Sequence, residues 1–367
     1  MRPSQALEGL SPYDPKFIRA DVLLSANENP CDIPAAVRKA VMEHIGATPF
    51  NRYPDPAATE LRKALSENLA SMTLPTLASK PRLAGIDASS VVVGNGGDEL
   101  LYNLFVAFGG AGNKVLSVVP SFSVYDIDAK MTGTEMVHVA RRPDFTVDED
   151  AVVERVSRGD INLVFITSPN NPTGDCISSG FVERLLSATD ALIVMDEAYA
   201  EFSGRTSIPL VANHPNICVL RTFSKAYALA GVRLGYVVGP REVVDALLAV
   251  RQPYSVDAVA QAIGLEVCRH HEEFARGIVD IVRRRDILLE RLSCISGLEV
   301  FPSEANFLMV RLRGAEDVWR AMVDDGVLVR NLCGQEFLEG CLRITVGTDA
   351  ENEAMIESLA ANMMKGY

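Results

Sequence analysis

Lys225 lies in a stretch of residues that could bind an aldehyde together with a phosphate. It follows the apolar, strand-like run Ile217–Leu220, has hydroxyl residues beside it at Thr222 and Ser224, and is followed by Arg233. A fixed amine can form an imine with an aldehyde, and hydroxyl and guanidinium donors can hold a phosphate. These residue types therefore indicate an aldehyde-bearing phosphate cofactor. The alternative is a solvated lysine at a strand-to-helix turn.

Four other predicted strands also end in polar, glycine-rich or aromatic residues. These ends are Gly94–Glu99, Pro120–Phe122, Ser168–Gly174 and Asp196–Tyr199. In an open parallel sheet, ligands bind outside the carboxyl ends of the strands. Five such ends in sequence order therefore predict a single site.

Each of these ends also has a simpler structural interpretation. Gly94–Glu99 alone is more typical of a turn in which Asp98 caps a helix, although free amides at a helix start could bind a phosphate. Phe122 could be a core aromatic or a ring stacked on a flat ligand, and Asn171 a turn residue or a donor to a phenolate oxygen. Asp196 ends an apolar strand, where an unpaired carboxylate is costly, so we expect a buried partner such as a pyridinium N–H.

The elements that position these residues follow from the hydrophobic pattern. Short apolar runs alternate with amphipathic helical patterns, which predicts a mostly parallel sheet covered on both faces. The predicted strands are Ser90–Val93, Lys114–Val119, Asn162–Thr167, Ala191–Met195, Ile217–Leu220 and Val232–Val238. Gly109–Gly112 follows a helical pattern and precedes a strand, so it is interpreted as a helix end and turn rather than a phosphate loop.

The two ends of the chain have different patterns from the middle. Residues 1 to about 45 are rich in proline and predict loops. After residue 250 a long helical pattern at Val256–Arg291 precedes a mixed series: strands at Phe307–Leu312, Val327–Arg330 and Leu342–Val346, and a helix near Ala315–Asp324. We therefore predict a large domain over residues 46–250, and a small α+β domain made of 251–367 with the N-terminal arm 1–45.

Composition excludes several classes of function. The 367 residues are 48% hydrophobic and 23% charged, as in ordinary globular proteins, and the net charge of −13 argues against nucleic acid or an anionic membrane as a partner. Seven scattered cysteines without a C-x-x-C pair predict a reducing, cytoplasmic setting, with no disulfide framework and no zinc site. No signal-peptide pattern or membrane-spanning apolar run is present. The five histidines lie outside the strand-end motifs, which disfavours histidine-based hydrolysis and metal chemistry.

Six stretches of the chain resemble, in order, the motifs of the histidinol-phosphate aminotransferase family of pyridoxal-phosphate (PLP) enzymes. They are ANENP (Ala26–Pro30), NRYPD (Asn51–Asp55), SPNNPTG (Ser168–Gly174), DEAY (Asp196–Tyr199), TFSKAYALAG (Thr222–Gly231) and LRITVGT (Leu342–Thr348). The likeness covers nearly the whole chain. It implies a class-II, fold-type-I α/β transferase with a mostly parallel central sheet in the large domain, a smaller α+β domain, and PLP as cofactor.

The resemblance also implies roles at the cofactor. Lys225 would bind PLP covalently and carry a proton between the substrate Cα and the cofactor, and Asp196 would pair with the pyridinium nitrogen. Asn171 and Tyr199 would hydrogen-bond the phenolate oxygen, and Phe122 would stack on the ring. The groups that would hold the cofactor phosphate are the amides of Gly96 and Gly97 and the side chains of Thr222, Ser224 and Arg233. Asp98 is placed with the cofactor-binding residues.

The remaining implied roles concern the substrate and a second subunit. Tyr53 resembles the tyrosine that reaches the cofactor phosphate from a neighbouring subunit, which implies a homodimer with shared sites. Arg343 resembles the arginine that binds the substrate carboxylate. Arg330 and Tyr13 match the arginine and N-terminal tyrosine that bind the substrate phosphate, with a salt-bridged strand arginine and a packed loop tyrosine as the alternatives. Asn27 is placed with the substrate-binding residues.

The leading hypothesis is transamination between L-histidinol phosphate and 2-oxoglutarate in histidine biosynthesis. The products would be imidazole acetol phosphate and glutamate, formed in a ping-pong reaction through pyridoxamine phosphate. An aromatic or broad-range amino-acid aminotransferase and a threonine-phosphate decarboxylase of the same fold are the alternatives. A non-catalytic PLP sensor is disfavoured by the acidic charge. Ser71–Ser90 is longer than the family pattern, and no purpose is assigned to it.

Overall fold

The computed structural model describes residues 18–70 and 85–365. Tyr13 and most of the Ser71–Ser90 segment lie outside the described residues. Among the described helices, none combines the length and the apolar character that crossing a membrane requires.

Twelve strands and thirteen helices are described in these two ranges. The strands are β1 (Val22–Leu24), β2 (Val91–Gly94), β3 (Lys114–Val119), β4 (Glu135–Ala140), β5 (Leu163–Thr167), β6 (Leu192–Asp196), β7 (Ile217–Thr222), β8 (Gly235–Val238), β9 (Leu298–Phe301), β10 (Phe307–Leu312), β11 (Val327–Asn331) and β12 (Cys341–Thr345). The helices are α1 (Ala35–Ala47), α2 (Thr59–Ala70), α3 (Gly96–Phe108), α4 (Val124–Thr132), α5 (Glu149–Val156), α6 (Ser179–Ala188), α7 (Ala200–Ser203), α8 (Ile208–Val211), α9 (Arg241–Val250), α10 (Ala258–Arg269), α11 (Ala275–Ser293), α12 (Ala315–Asp324) and α13 (Asp349–Met364).

A seven-stranded sheet forms the centre of the larger part of the molecule. Its strand order is β2-β8-β7-β6-β5-β3-β4, and only β8 runs antiparallel to its neighbours. The predicted mostly parallel sheet is therefore confirmed. The carboxyl ends of β3, β5, β6 and β7 lie at one edge, where the sequence motifs predict the site.

The central strands are buried on both faces because helices cover both sides. In β6, Ile193 and Met195 belong to one apolar cluster, whereas Leu192 and Val194 belong to a second cluster on the opposite face. This alternation follows from the two-residue period of a strand. It explains why the sequence of β6 is continuously apolar until Asp196.

A five-stranded sheet forms the second, smaller layer. Its order is β1-β11-β12-β10-β9, and β1 pairs in parallel with β11. The N-terminal segment thus adds an edge strand to a sheet whose other four strands come from residues 298–345. This pairing brings Ala26 and Asn27, which follow β1, beside the ends of β11 and β12.

Several element predictions are wrong in detail. The N-terminal 45 residues are not only loop, because they contain β1 and most of α1. Strands β4 and β9 were not predicted, because β4 has a half-exposed face and β9 has only four residues. The long helical pattern at Val256–Arg291 is two helices, α10 and α11, separated by a 3-10 turn at His271–Phe274.

Two further corrections concern turns near the site. The strand predicted from Val232 begins only at Gly235, because Arg233 adopts a left-handed backbone conformation with φ of 56°. Helix α3 begins at Gly96 with Asn95 as its N-cap, so Asp98 lies in the first turn and is not the cap. The interpretation of Gly109–Gly112 as a helix end is confirmed, since Gly109 caps α3.

Candidate active site

A cavity of about 390 Å³ lies between the carboxyl edge of the large sheet and the strands β11 and β12. Its walls come from all five strand ends that the sequence identified. The predicted site residues that line it are Asn27, Gly97, Asp98, Phe122, Asn171, Asp196, Tyr199, Thr222, Ser224, Lys225, Arg233, Arg330 and Arg343. The structure thus brings these residues together around one cavity.

Lys225 presents its amine to this cavity from the loop after β7. Its Nζ donates a 3.0 Å hydrogen bond to the Ala26 carbonyl oxygen and lies 6.0 Å from the centre of the Tyr199 ring. Burial, and next the charge of Arg343, lower the pKa of Lys225 to about 8. A lysine with this pKa is unprotonated far more often at neutral pH than an ordinary lysine, so it can act as a nucleophile and a base.

A group of donors surrounds the start of α3. Arg233 Nη2 donates to Asp98 Oδ2 at 2.9 Å, and a Cβ on Gly96 would lie 2.6 Å from the same Nη2. The φ of +80° at Gly96 favours glycine, and a side chain there would displace the Arg233 guanidinium. The Thr222 and Ser224 hydroxyls lie 2.9 Å apart and line the same cavity. Hydroxyls, a guanidinium and a helix N-terminus at one place are typical of a phosphate site.

Asp196 ends β6 and is 4% exposed. Its Oδ2 accepts a 2.6 Å hydrogen bond from Tyr125 Oη, and its Oδ1 accepts a 3.2 Å hydrogen bond from the Ala198 amide. Burial raises the pKa of Asp196 to about 6, although these two hydrogen bonds act in the opposite direction. A carboxylate held in this way can still accept a hydrogen bond from a ligand in the cavity.

Tyr199 is held by a residue that the sequence assigned to the substrate. Asn27 Nδ2 donates to Tyr199 Oη at 2.9 Å, and Asn27 Oδ1 accepts from Thr345 Oγ1 at 3.1 Å. Asn27 is 1% exposed and has a φ of 53°, which asparagine tolerates better than most residues. Its side chain thus positions Tyr199, whose ring also packs edge-on against Phe307.

Arg343 joins the two sheets at the cavity. One terminal nitrogen donates to Asn171 Oδ1, and the other donates to the Ser25 carbonyl oxygen at 2.7 Å. The guanidinium also lies over the Phe307 ring, 5.5 Å from its centre. Because Arg343 occupies the amide oxygen of Asn171, the amide nitrogen of Asn171 is left to act as the donor toward the cavity.

Tyr53 is a predicted site residue that the structure does not bring into the cavity of its own chain. Its side chain is 82% exposed and stacks on Tyr254, with ring centres 4.5 Å apart. The neighbouring aromatic Phe50 is also exposed. Tyr53, Tyr254 and Phe50 thus place three exposed aromatic side chains on the surface.

The sequence did not identify three hydroxyl residues near Asp196 as site residues. Besides Tyr125, they are Thr167, whose Oγ1 lies 2.8 Å from Tyr125 Oη, and Ser121, whose Oγ lies 3.2 Å from Thr167 Oγ1. A signal was present, because Thr167 ends the apolar strand β5 and is the register partner of Asp196 on β6. Tyr125 carried no such signal, since it occupies an ordinary position in the first turn of α4.

Comparison with known proteins agrees with this geometry. The family model for aminotransferases of class I and II matches residues 19–359. The chain belongs to this aminotransferase family. Among its curated relatives, histidinol-phosphate aminotransferase 1 of Carboxydothermus hydrogenoformans is 39% identical over 97% of both chains. Histidinol-phosphate aminotransferase of Thermobifida fusca is also 39% identical, over 96% of this aminotransferase and 93% of that relative.

Solved structures share the fold of this aminotransferase. The histidinol-phosphate aminotransferase of Sinorhizobium meliloti in complex with pyridoxal-5'-phosphate superposes with a TM-score of 0.86 at 24% identity, covering 99% of this chain and 98% of that one. The aspartate aminotransferase of Thermus thermophilus with maleate gives a TM-score of 0.81 at 26% identity, covering 99% and 100%. The expected fold-type-I class is confirmed.

Proposed function

We propose that this aminotransferase uses PLP to transfer the amino group of L-histidinol phosphate to 2-oxoglutarate. The observation that carries the proposal is that Lys225, Asp196, the donors around α3, and two arginines line one cavity. The curated relatives named histidinol-phosphate aminotransferase support the choice of donor.

The residues of the cavity fit PLP group by group. Arg233, Thr222, Ser224 and the start of α3, where a Cβ on Gly96 would collide with Arg233, would hold the phosphate. Asp196 would accept a hydrogen bond from the ring nitrogen, and the Asn171 amide and the Tyr199 hydroxyl would face the phenolate oxygen. The apolar surface of Phe122 would cover one ring face.

The cofactor, when bound, supplies an electron sink for bond breaking at the substrate Cα. Lys225 would hold the cofactor, and its Nζ would take a proton from the substrate Cα. The lowered pKa of Lys225 makes this transfer efficient near neutral pH. Asp196 keeps the ring nitrogen protonated, and Tyr199 stays a neutral hydroxyl donor because burial raises its pKa.

Arg330 and Arg343 would bind the substrates. They are register partners on β11 and β12, so their side chains leave the sheet on the same face. Two guanidinium groups suit a phosphate dianion in one half-reaction and the two carboxylates of 2-oxoglutarate or glutamate in the other. A phosphate dianion thus matches the pair of guanidinium groups better than the carboxylate of phenylalanine, which carries a single negative charge.

We further propose that the enzyme is a cytoplasmic homodimer in which Tyr53 contacts the PLP phosphate in the partner's site. Its exposure, and that of Phe50, support a subunit contact. The division into a large domain over 46–250 and a small domain over 1–45 with 251–367 belongs to the same proposal. The seven described cysteines are free thiols, as suits a reducing compartment.

The proposal is tested by half-reactions of the purified enzyme with single donors. We expect histidinol phosphate to discharge the visible absorbance of the bound cofactor faster than phenylalanine at equal concentration. A faster reaction with phenylalanine would assign the enzyme to aromatic amino acids instead. Release of carbon dioxide from threonine phosphate without an oxo-acid would assign it to decarboxylation.

A further inference from the structure

The Asp196 carboxylate has a partner on the side away from the cavity. Tyr125 Oη donates to Asp196 Oδ2 at 2.6 Å, and Tyr125 is 1% exposed. Its ring is stacked on Phe165 with centres 4.6 Å apart and meets the edge of Phe122 at 5.8 Å. The hydroxyl is therefore fixed by aromatic packing, and it lies behind Asp196 rather than in the cavity wall.

The direction of this hydrogen bond follows from its neighbours. Ser121 Oγ donates to Asn170 Oδ1 at 2.8 Å, because the Asn170 amide nitrogen already donates to Thr173 Oγ1 and to the Pro120 carbonyl oxygen. Thr167 Oγ1 and Tyr125 Oη also lie 2.8 Å apart, and only one of these two hydroxyls can donate its proton in this contact. If Thr167 donates to Tyr125, the single phenol proton is left for Asp196, and both short contacts are satisfied.

We propose that Tyr125 is a positioning residue that donates a fixed hydrogen bond to Asp196 and thereby holds its carboxylate ionised and oriented toward the cofactor ring. This inference rests on the proposed PLP function. Tyr125 does not touch the cofactor cavity itself. It acts through Asp196, and Thr167 supports it by donating to its oxygen.

The electrostatic surroundings explain why Asp196 needs such a donor. Burial raises the pKa of Asp196 to about 6, and the negative charges of Asp98 on α3 and of Glu197 next to it act in the same direction. Tyr199 lies nearby on the loop before α7, and Lys225 lines the same cavity. Tyr125 counters these effects, and burial keeps its own pKa well above that of an ordinary tyrosine, so it remains a donor across the working pH range.

The test compares full-length Tyr125→Phe with the wild type, because phenylalanine keeps the ring and removes only the hydroxyl. The side-chain carboxyl of Asp196 is titrated in the cofactor-free protein by NMR of 13C-labelled aspartate, with Asp196→Asn to assign the signal. We expect the Tyr125→Phe midpoint to rise by about one pH unit. Thr167→Val should raise it less, in the same direction. Tyr236→Phe, which removes another buried hydroxyl from a ring packed on Phe223, should leave it unchanged.

A second set of measurements compares PLP binding by the wild type and the variants. The dissociation constant of PLP should rise about tenfold in Tyr125→Phe, and the pH titration of its visible absorbance should shift upward. An unchanged or lowered Asp196 midpoint in both Tyr125→Phe and Thr167→Val would overturn the inference. Failure of the wild type to bind PLP would instead refute the proposed function. The titration of the Asp196 carboxyl in the cofactor-free protein would still show whether Tyr125 keeps it ionised.

Discussion

Arg330 and Arg343 lie directly opposite each other on the antiparallel strands β11 and β12, and both line the cavity. An anion bound on this face of the sheet would lie beside two guanidinium groups, which suit a phosphate. We therefore expect the substrate phosphate to bind beside this pair.

Replacing Arg330 by alanine should weaken the reaction of the phosphorylated donor selectively. Since a charge-assisted, bidentate contact is lost, kcat/KM for histidinol phosphate should fall about 100-fold and that for phenylalanine only a few-fold. Arg330→Lys should recover part of the loss, and Arg311→Ala, outside the cavity wall, is the control. Equal losses with both donors would exclude a phosphate role for Arg330.

Lys225 should react with acylating reagents at lower pH than other lysines. Burial, and next the charge of Arg343, lower its pKa to about 8, whereas the hydrogen bond to Asp160 raises the pKa of Lys114. In the cofactor-free protein, labelling of Lys225 by acetic anhydride should have its midpoint near pH 8, as followed by peptide mass spectrometry. Arg343→Gln should move that midpoint upward. A Lys225 midpoint equal to or above that of Lys114 would contradict the electrostatic account.

Asp196 should make the cofactor-free protein less stable as the pH rises. Its folded pKa of about 6 lies above the ordinary value of 3.8, so the carboxyl is neutral in both states in acid. Ionising it at higher pH favours unfolding, and stability is lost as the pH rises through 6. From pH 4 to pH 8, the unfolding free energy of Asp196→Asn should increase relative to the wild type by about 2–3 kcal/mol.

The control for this measurement is Asp190→Asn, at an exposed position before β6. The difference in unfolding free energy between Asp190→Asn and the wild type should not increase from pH 4 to pH 8. Chemical denaturation at several pH values gives the free energies. A constant difference between Asp196→Asn and the wild type would mean that Asp196 is ionised as easily in the folded protein as in the unfolded chain.

Tyr53 should act in the site of the partner subunit. Lys225→Ala and Tyr53→Ala should each lose most activity as separate homodimers. After mixing and re-association, half the dimers would be heterodimers, each with one intact site, so about a quarter of wild-type activity should return. Absence of any recovery, with heterodimers shown by native mass spectrometry, would place Tyr53 outside the site.

Much of the large sheet and its site could be predicted from the sequence. Continuous apolar runs such as Leu192–Asp196 mark buried parallel strands, and the polar residue that ends each run marks the edge where ligands bind. The same logic identified Lys225, Asp196 and Asn171, and the structure brings all three to one cavity.

The parts that were missed depend on distant contacts. The strand Val22–Leu24 has only three residues and is defined by its pairing with β11, more than 300 residues later. The role of Tyr125 depends on how α4 lies against β6, and the local pattern of apolar and polar residues does not predict that arrangement. Asn27 was placed with the substrate-binding residues, and its hydrogen bonds to Tyr199 and Thr345 could not be read from the sequence because they come from the three-dimensional fold.

The most direct test of the whole account is reduction of the native, cofactor-loaded protein with borohydride, which makes a lysine–cofactor bond permanent, followed by peptide mapping. The account predicts that the added mass of the reduced cofactor lies on the peptide containing Lys225, and on none of the other seven lysines. Lys225→Ala should carry no label. A label on another lysine, or no label on the native protein, would contradict it.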